Sequence, residues 1–203
     1  MKNILFTISF ILLSITMQAQ LIVPIDELSK YHKKYGLLPD HTHFKDVNGI
    51  LDKYTGTWEG SLDNKSYYFL ITKKINVQDE MNPLSFEDGL VIQFKITDKN
   101  TGKVLYDKFK DPERFQVNNS DYLRTTKNKY AIYYVGDSTE EINCGDIGRM
   151  FLELIEVGKL SVYVKPNHMA FSLVEGREHP CPNGRVIPPF PNERHSHLIL
   201  TKK

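Results

Sequence analysis

The feature that most constrains the fold is a series of short segments in which apolar and polar residues alternate. In residues 89–98, Leu90, Ile92, Phe94 and Ile96 fall on one face of the chain and mostly polar side chains on the other. This period of two is that of a β-strand that buries one face. Such segments recur at hairpin spacing. They predict strands at residues 54–62, 66–75, 89–98, 103–109, 121–126, 130–135, 149–156, 160–165, 168–174 and 197–202.

No long helical pattern separates these strands, so the sequence predicts an all-β fold, an antiparallel meander of about 8–10 strands. Closure into a barrel would remove the exposed edges of such a sheet. We therefore expect residues 54–203 to form one β-barrel domain. Ahead of it, Pro24 can occupy the first turn of a helix and Gly36 can end it. Residues 20–53 are predicted to form an N-terminal helix and a loop.

Residues 1–19 have the composition of a cleaved signal peptide. Lys2 supplies a positive charge, residues 4–15 are mainly apolar, and Ala19 is a small residue suited to a signal peptidase. A membrane-spanning helix needs about 20 apolar residues, so no transmembrane anchor is predicted. We expect an exported protein, periplasmic or secreted, whose mature chain begins near Gln20.

The charge of the chain argues against one class of partner. The chain has 26 Lys and Arg and 25 Asp and Glu, and residues 1–19 contain only Lys2 among them, so the mature chain carries 25 of each. A nucleic-acid-binding surface needs an excess of positive charge, so no nucleic-acid partner is expected. The length suits a single domain, which we expect to be a monomer.

Cys144 and Cys181 are the only cysteines, and both lie among Gly, Pro and Asn residues. In an exported protein two cysteines most simply form a disulfide bond, which we predict here. A metal thiolate site and a reactive thiol are the alternatives, and neither has a C-x-x-C or Cys–His spacing in its favour. In a strict meander the two cysteine segments open at opposite ends of the barrel, so a disulfide bond requires either that residues 175–196 run back along the barrel or that one predicted strand is miscounted.

The sequence contains no pattern typical of an active site. His41 with His43, and His195 with His197, are spaced so that a strand would place each pair on one face. We interpret them as surface residues, because the first pair lies in a predicted loop and the second on the polar face of the last strand. A zinc or copper site that joins both pairs is the alternative, and it has no carboxylate at a diagnostic spacing in its favour. Motifs of serine hydrolases, nucleotide-binding loops and zinc proteases are absent. We expect a protein that is not an enzyme and needs no metal or cofactor.

Aromatic residues of the strands allow two functional hypotheses. Phe69, Phe94 and Tyr134 could line a cavity for a small apolar or amphipathic ligand, although the interior of a small barrel is often packed core. Ligand binding is the leading hypothesis. The alternative is a protein-interaction or inhibitory module with a filled interior, in which Phe190 of 188-PPFP-191 is an exposed contact. Its contact surface would be the loops at residues 76–88, 136–148 and 175–196.

Gly56-Thr57-Trp58, on the first predicted strand, resembles the G-x-W signature of the calycins, which include lipocalins and fatty-acid-binding proteins. In that group the tryptophan closes one end of the barrel, and a basic residue of the last strand packs over it. The resemblance implies a calycin-like barrel whose closed end contains Gly56, Trp58 and Lys202, with Lys203 and Arg194 as alternatives for the basic position. Fatty-acid binding does not transfer, because a short turn replaces the helical lid of those proteins.

A second resemblance extends over nearly the whole chain. The signal ending in QAQ, the run DVNGILDKYTGTWEG, the NCG and CPNG segments and the C-terminal LILTKK resemble a family of short exported proteins of Bacteroidota with a domain of unknown function. The resemblance implies export and the disulfide bond, and it brings no catalytic residues.

Overall fold

The computed structural model describes residues 20–28, 30, 40–78, 82–107, 109, 128–135, 147–166, 190–191 and 197–203; of residues 133–135, 147–148 and 166 it describes only the backbone. This part of the chain is mostly β-strand, as the alternating segments predict. Its strands are β1 (Leu21–Pro24), β2 (Thr42–Lys45), β3 (Gly56–Leu62), β4 (Lys65–Gln78), β5 (Phe86–Asp98), β6 (Val104–Asp107), β7 (Lys129–Val135), β8 (Ile147–Glu156), β9 (Lys159–Pro166) and β10 (Leu198–Lys202). One-turn 3-10 helices occupy Ile25–Glu27 and Asp52–Tyr54.

All ten strands belong to one mixed sheet of order β1-β2-β5-β4-β3-β10-β9-β8-β7, and β6 pairs with a separate stretch of β5. Alternation gathers the apolar side chains on one face, here called the inner face, where Phe69, Phe94 and Leu200 are fully buried. The opposite, outer face carries most of the polar side chains. Asp63 and Asn64 have φ of 45° and 60° and form the turn between β3 and β4. Such a two-residue turn fixes the register of its hairpin.

The sheet is not closed, so the barrel prediction is not supported. β1 and β7 end the strand order, and no ladder joins them within the described residues. The edge of β5 that faces away from β4 pairs with two different strands. β2 pairs with Phe86 and Glu87, and β6 pairs with residues 95–97. Between these two ladders, Leu90 N donates a hydrogen bond to Tyr130 Oη of β7 (3.3 Å). A side chain of β7 thus reaches the edge of β5 that faces away from β4, between the ladders with β2 and β6.

The N-terminal segment adds two strands that sequence analysis missed. β1 pairs with β2, and β2 with β5, in both cases in parallel, so the sheet is not the predicted antiparallel meander. These strands were not predicted for two reasons. Parallel strands are not joined by a hairpin turn that could be seen in the sequence, and Leu21-Ile22-Val23 follows the predicted signal peptide and resembles part of its apolar stretch. Helical geometry occurs in the 3-10 turn and at Leu28 and Lys30. Because residues 29 and 31–39 lie outside the described part, the helix over residues 24–36 stays a prediction.

Several predicted features fall outside the described residues. They are the signal peptide at residues 1–19, the strands at 121–126 and 168–174, Cys144, Cys181, Arg194 and His195. The other eight predicted strands correspond to β3 to β10. Across the described ranges, no helix has both the length and the apolar character needed to cross a membrane.

Candidate functional site

Trp58 lies fully buried on the inner face of β3, opposite Lys202 of β10. The indole Nε1 donates a hydrogen bond to Tyr54 O (2.8 Å), and Lys202 Nζ lies 5.3 Å from the ring centroid. Gly56 has φ +116°, and a Cβ there would lie 2.9 Å from Lys202 Cε. The structure therefore brings Gly56, Trp58 and Lys202 together, with the ammonium group in cation–π contact with the ring.

Phe190 occupies the interior next to Phe69 and Phe94. The rings of Phe69 and Phe94 are fully buried and stack with centroids 5.7 Å apart. The Phe190 ring lies 5.0 Å from Phe94 and 5.8 Å from Phe69, edge-on to both, and Phe190 is only 6% exposed. The prediction of an exposed Phe190 is therefore wrong. Tyr134 belongs to β7, but its side chain lies outside the described residues.

A buried polar cluster lies where the N-terminal strands meet β5. The Asp88 carboxylate accepts hydrogen bonds from His43 Nε2 (2.8 Å), Asp46 N (3.0 Å) and Asn76 N (2.9 Å). Burial would raise the pKa of Asp88, but the backbone N–H groups of Asn76 and Asp46 and the bond to His43 together lower it. His43 is 7% exposed, so its interpretation as a surface residue is wrong, whereas His41 is exposed.

Asp46 extends this cluster towards the 3-10 turn that precedes β3. Its carboxylate accepts hydrogen bonds from Ile50 N (2.7 Å) and Leu51 N (3.1 Å) and pairs with Lys73 Nζ (2.7 Å), which also contacts Asp52 (2.9 Å). Burial would lower the pKa of Lys73, but hydrogen bonds to the two aspartates raise it. Because the cluster links β2, β4 and β5, we interpret it as structural, and the hydrogen bonds of Asp88 and Asp46 are called the clamp here. Within the described part of the chain, no group of three or more His, Cys, Asp or Glu could hold a metal ion.

A groove of about 520 Å³ lies on the outer face of β10, β3, β4 and β5, and is called the outer groove here. Its floor is a row of short side chains, because the register pairs Ser61 with Ser66 and Ser66 with Thr97. None of these three hydroxyl groups forms a side-chain hydrogen bond with the described residues. The floor therefore presents donors and acceptors that remain available to a ligand.

Tyr68 and Lys95 rise beside this floor, in the neighbouring row of paired residues that begins at Glu59. The Tyr68 side chain is partly exposed, and its ring lies 5.6 Å from the ring of Phe109.

Tyr67, the neighbour of Tyr68 on β4, faces inward and also lines the groove. Burial, helped by the nearby charge of Asp63, raises the pKa of Tyr67 to about 12. Tyr67 is therefore a neutral hydrogen-bonding group at physiological pH.

The ionic groups that line the outer groove are three lysines and one glutamate. Lys203 Nζ pairs with Glu59 (2.9 Å), and Lys95 Nζ lies 4.0 Å from Asp107. Lys99, in the turn after β5, forms no ion pair with the described residues. The lining thus has an excess of positive charge beside neutral hydroxyl groups, a combination that suits a polar ligand with a negative charge.

The aromatic residues of the sequence predict a ligand on the inner face, whereas the structure has its groove on the outer face. A local signal existed for part of it, because the Asp63-Asn64 turn by itself places Ser61 opposite Ser66. The position of Thr97 depends on the longer β4–β5 connection and on an irregularity between Lys74 and Val77. The contact between His43 and Asp88 spans 45 positions and has no local signal.

Comparisons with known proteins place the chain in a family. A protein-family profile described as a family of unknown function (DUF6705) matches residues 1–183, a range that includes β1 to β9. Searches among curated proteins and among solved structures gave no match. The family match agrees with the resemblance to proteins that carry a domain of unknown function. The chain therefore belongs to the DUF6705 family, whose function is unknown.

Proposed function

We propose that this chain is an exported, non-catalytic binding protein and that it holds a small amphipathic ligand in the outer groove. The observation that carries the proposal is the combination of a hydroxyl floor, a partly exposed tyrosine ring and an excess of lysines around about 520 Å³. Pockets for small molecules commonly have volumes of about 300–1,000 Å³. Export is supported by the signal-like composition of residues 1–19.

The inner face is less suited to a ligand, because Phe190 already packs between Phe69 and Phe94. An incoming apolar molecule would have to replace these ring contacts, each of which contributes about 0.5–1.5 kcal/mol beyond buried area. The calycin-like Gly56, Trp58 and Lys202 support a binding role in general. In a calycin the ligand lies inside the barrel, whereas here the groove lies on the opposite face of the sheet.

Native mass spectrometry of the protein exported by its natural host tests the proposal. The wild-type protein should carry a discrete additional mass that leaves on organic extraction. Ser66→Trp fills the groove floor and should abolish this adduct. Thr72→Trp, on the same strand and face but outside the groove lining, is the matched control and should keep it. An adduct that Ser66→Trp retains would overturn the groove as the site, and a wild-type protein without an adduct would favour a protein partner.

The second candidate is an apolar ligand on the inner face, as sequence analysis predicted. It is favoured by the aromatic lining of Phe69 and Phe94, whereas the hydrogen bond from Val164 N to Pro191 O (2.9 Å), which holds the Phe190 segment, opposes it. In this case the ligand would take the place of the Phe190 ring. Phe190→Ala should then increase adduct occupancy while Ser66→Trp leaves it unchanged. Unchanged occupancy in Phe190→Ala would eliminate this candidate.

A further inference from the structure

We infer that the ligand of the outer groove is an acidic saccharide, a sugar that carries a carboxylate. This inference rests on the proposed function and names the ligand class of the same site. Three features of the groove support it: the arrangement of its hydroxyl groups, the excess of its ammonium groups and a partly exposed aromatic ring.

The hydroxyl groups of Ser61, Ser66 and Thr97 form a line that crosses three neighbouring strands. Strands in a sheet are about 4.8 Å apart, so the line offers a polar group at regular intervals along its length. A hydroxyl both donates and accepts hydrogen bonds and rotates to suit its partner. Sugars carry hydroxyl groups with the same dual capacity along one edge of the ring, so the two rows can hydrogen-bond in either direction.

The charge of the lining selects an acidic sugar over a neutral one. Lys99 has no ionic partner among the described residues, and the 4.0 Å separation of Lys95 from Asp107 is the outer limit of an ion pair. Both ammonium groups are therefore available to a ligand carboxylate. Because both lysines are exposed to solvent, each ion pair with a ligand carboxylate should raise the affinity about two- to fivefold.

Tyr68 provides the apolar part of the site. It belongs to the row next to the hydroxyl floor, is 37% exposed, and is supported by Phe109. An aromatic ring has an apolar face and, in tyrosine, a polar tip. One face of a sugar ring exposes mainly C–H groups, which can pack on such a surface while the hydroxyl edge meets the floor. Acidic peptides lack this combination of a C–H face and a hydroxyl edge, so the groove favours the saccharide.

The test is titration of the ¹⁵N-labelled mature protein with trigalacturonate, with neutral galactotriose as the matched probe. We expect trigalacturonate to shift the amide signals of Ser61, Ser66 and Thr97, and galactotriose to bind at least about fivefold more weakly. Lys95→Gln and Lys99→Gln should each weaken trigalacturonate binding about two- to fivefold. Lys74→Gln, an exposed lysine of β4 outside the groove lining, should leave it unchanged. Higher salt should weaken binding, because exposed charges are screened.

Two outcomes separate this inference from the proposed function. If trigalacturonate leaves the groove signals unchanged while the adduct from the natural host is lost in Ser66→Trp, the groove is a binding site and the acidic-saccharide assignment is wrong. If neither the probe nor a host ligand depends on Ser66, both proposals fail. If the two saccharides bind equally well, the ligand is still a saccharide, but the lysines do not select an acidic one and the acidic part of the inference is wrong.

Discussion

Asp88 links the N-terminal strands to the rest of the sheet through its carboxylate. The ladder between β2 and β5 contains only two residue pairs, His43 with Phe86 and Phe44 with Glu87. The Asp88 carboxylate adds hydrogen bonds to β2, to Asp46 just after it and to β4. Replacement of Asp88 by Asn keeps the size of the side chain but removes its charge and one acceptor. We therefore expect Asp88→Asn to loosen β1 and β2 before the rest of the sheet.

The size of the effect follows from these contacts. An asparagine oxygen can still accept, but its NH2 group would face one of the three donors, which leaves that buried donor unsatisfied at a cost of about 1–3 kcal/mol. The remaining bonds lose their charge assistance, which is worth about 1 kcal/mol for each bond. The free energy of unfolding should fall by about 3–5 kcal/mol, and Tm by about 6–20 °C for a chain of this size.

Urea unfolding and hydrogen–deuterium exchange measure the two parts of this prediction. Asp26→Asn, at an exposed aspartate, is the control and should change the free energy of unfolding by less than about 0.5 kcal/mol. In Asp88→Asn, amides of β1 and β2 should lose more protection than those of β8 and β9. A change no larger than that of Asp26→Asn would refute the clamp, and an equal loss of protection in all strands would refute its local character.

The same carboxylate predicts a dependence on pH. The folded-state pKa of Asp88 lies below its ordinary value of 3.8, so the unfolded chain binds the proton more tightly. The stability from this group is therefore fully present above the unfolded-state pKa and is lost as pH falls through the lower folded-state pKa. The difference in unfolding free energy between wild type and Asp88→Asn should shrink below about pH 4, and a difference that grows on acidification would contradict the assignment.

Two further substitutions test other contacts by thermal and urea unfolding. Gly60→Ala would place a Cβ against Ile199 O and 2.9 Å from Leu200 Cδ2, so it should destabilise by about 2–3 kcal/mol. Gly102→Ala, where a Cβ would meet no atom within 4 Å but φ is +69°, should cost only about 1 kcal/mol, and an equal loss in both would refute the steric argument. Lys73→Met leaves the buried Asp46 carboxylate without its cation and should destabilise by about 2 kcal/mol, less than a fully buried pair because Lys73 is partly exposed. Lys74→Met is its control. If Lys73→Met lowers the free energy of unfolding as much in an Asp46→Asn background as in the wild type, the two residues are not coupled.

Much of the strand pattern could be predicted because its cause is local. Alternation identifies β4 and β5 wherever one face is buried, and the Asp63-Asn64 turn joins β3 to β4 in a register that needs no distant information. Trp58 and Lys202 could also be expected together, from the likeness to the calycin signature. The groove floor could be predicted only in part, since Ser61 and Ser66 share a hairpin while Thr97 reaches them through a longer connection.

The amino-acid sequence by itself determined that this chain forms mainly β-strands, which residues of β3, β4, β5 and β10 face inward, and where the tight turn between β3 and β4 lies, because these follow from side-chain periodicity and turn chemistry. Only the tertiary structure decided that the sheet stays open across the described residues, that β1 and β2 join it in parallel, that Phe190 fills the inner face and that His43 is buried against Asp88. These features depend on contacts between residues far apart in the chain. Several segments of the chain can pair with the same edge of the sheet or pack on the same face. A local sequence pattern does not show which of them does so.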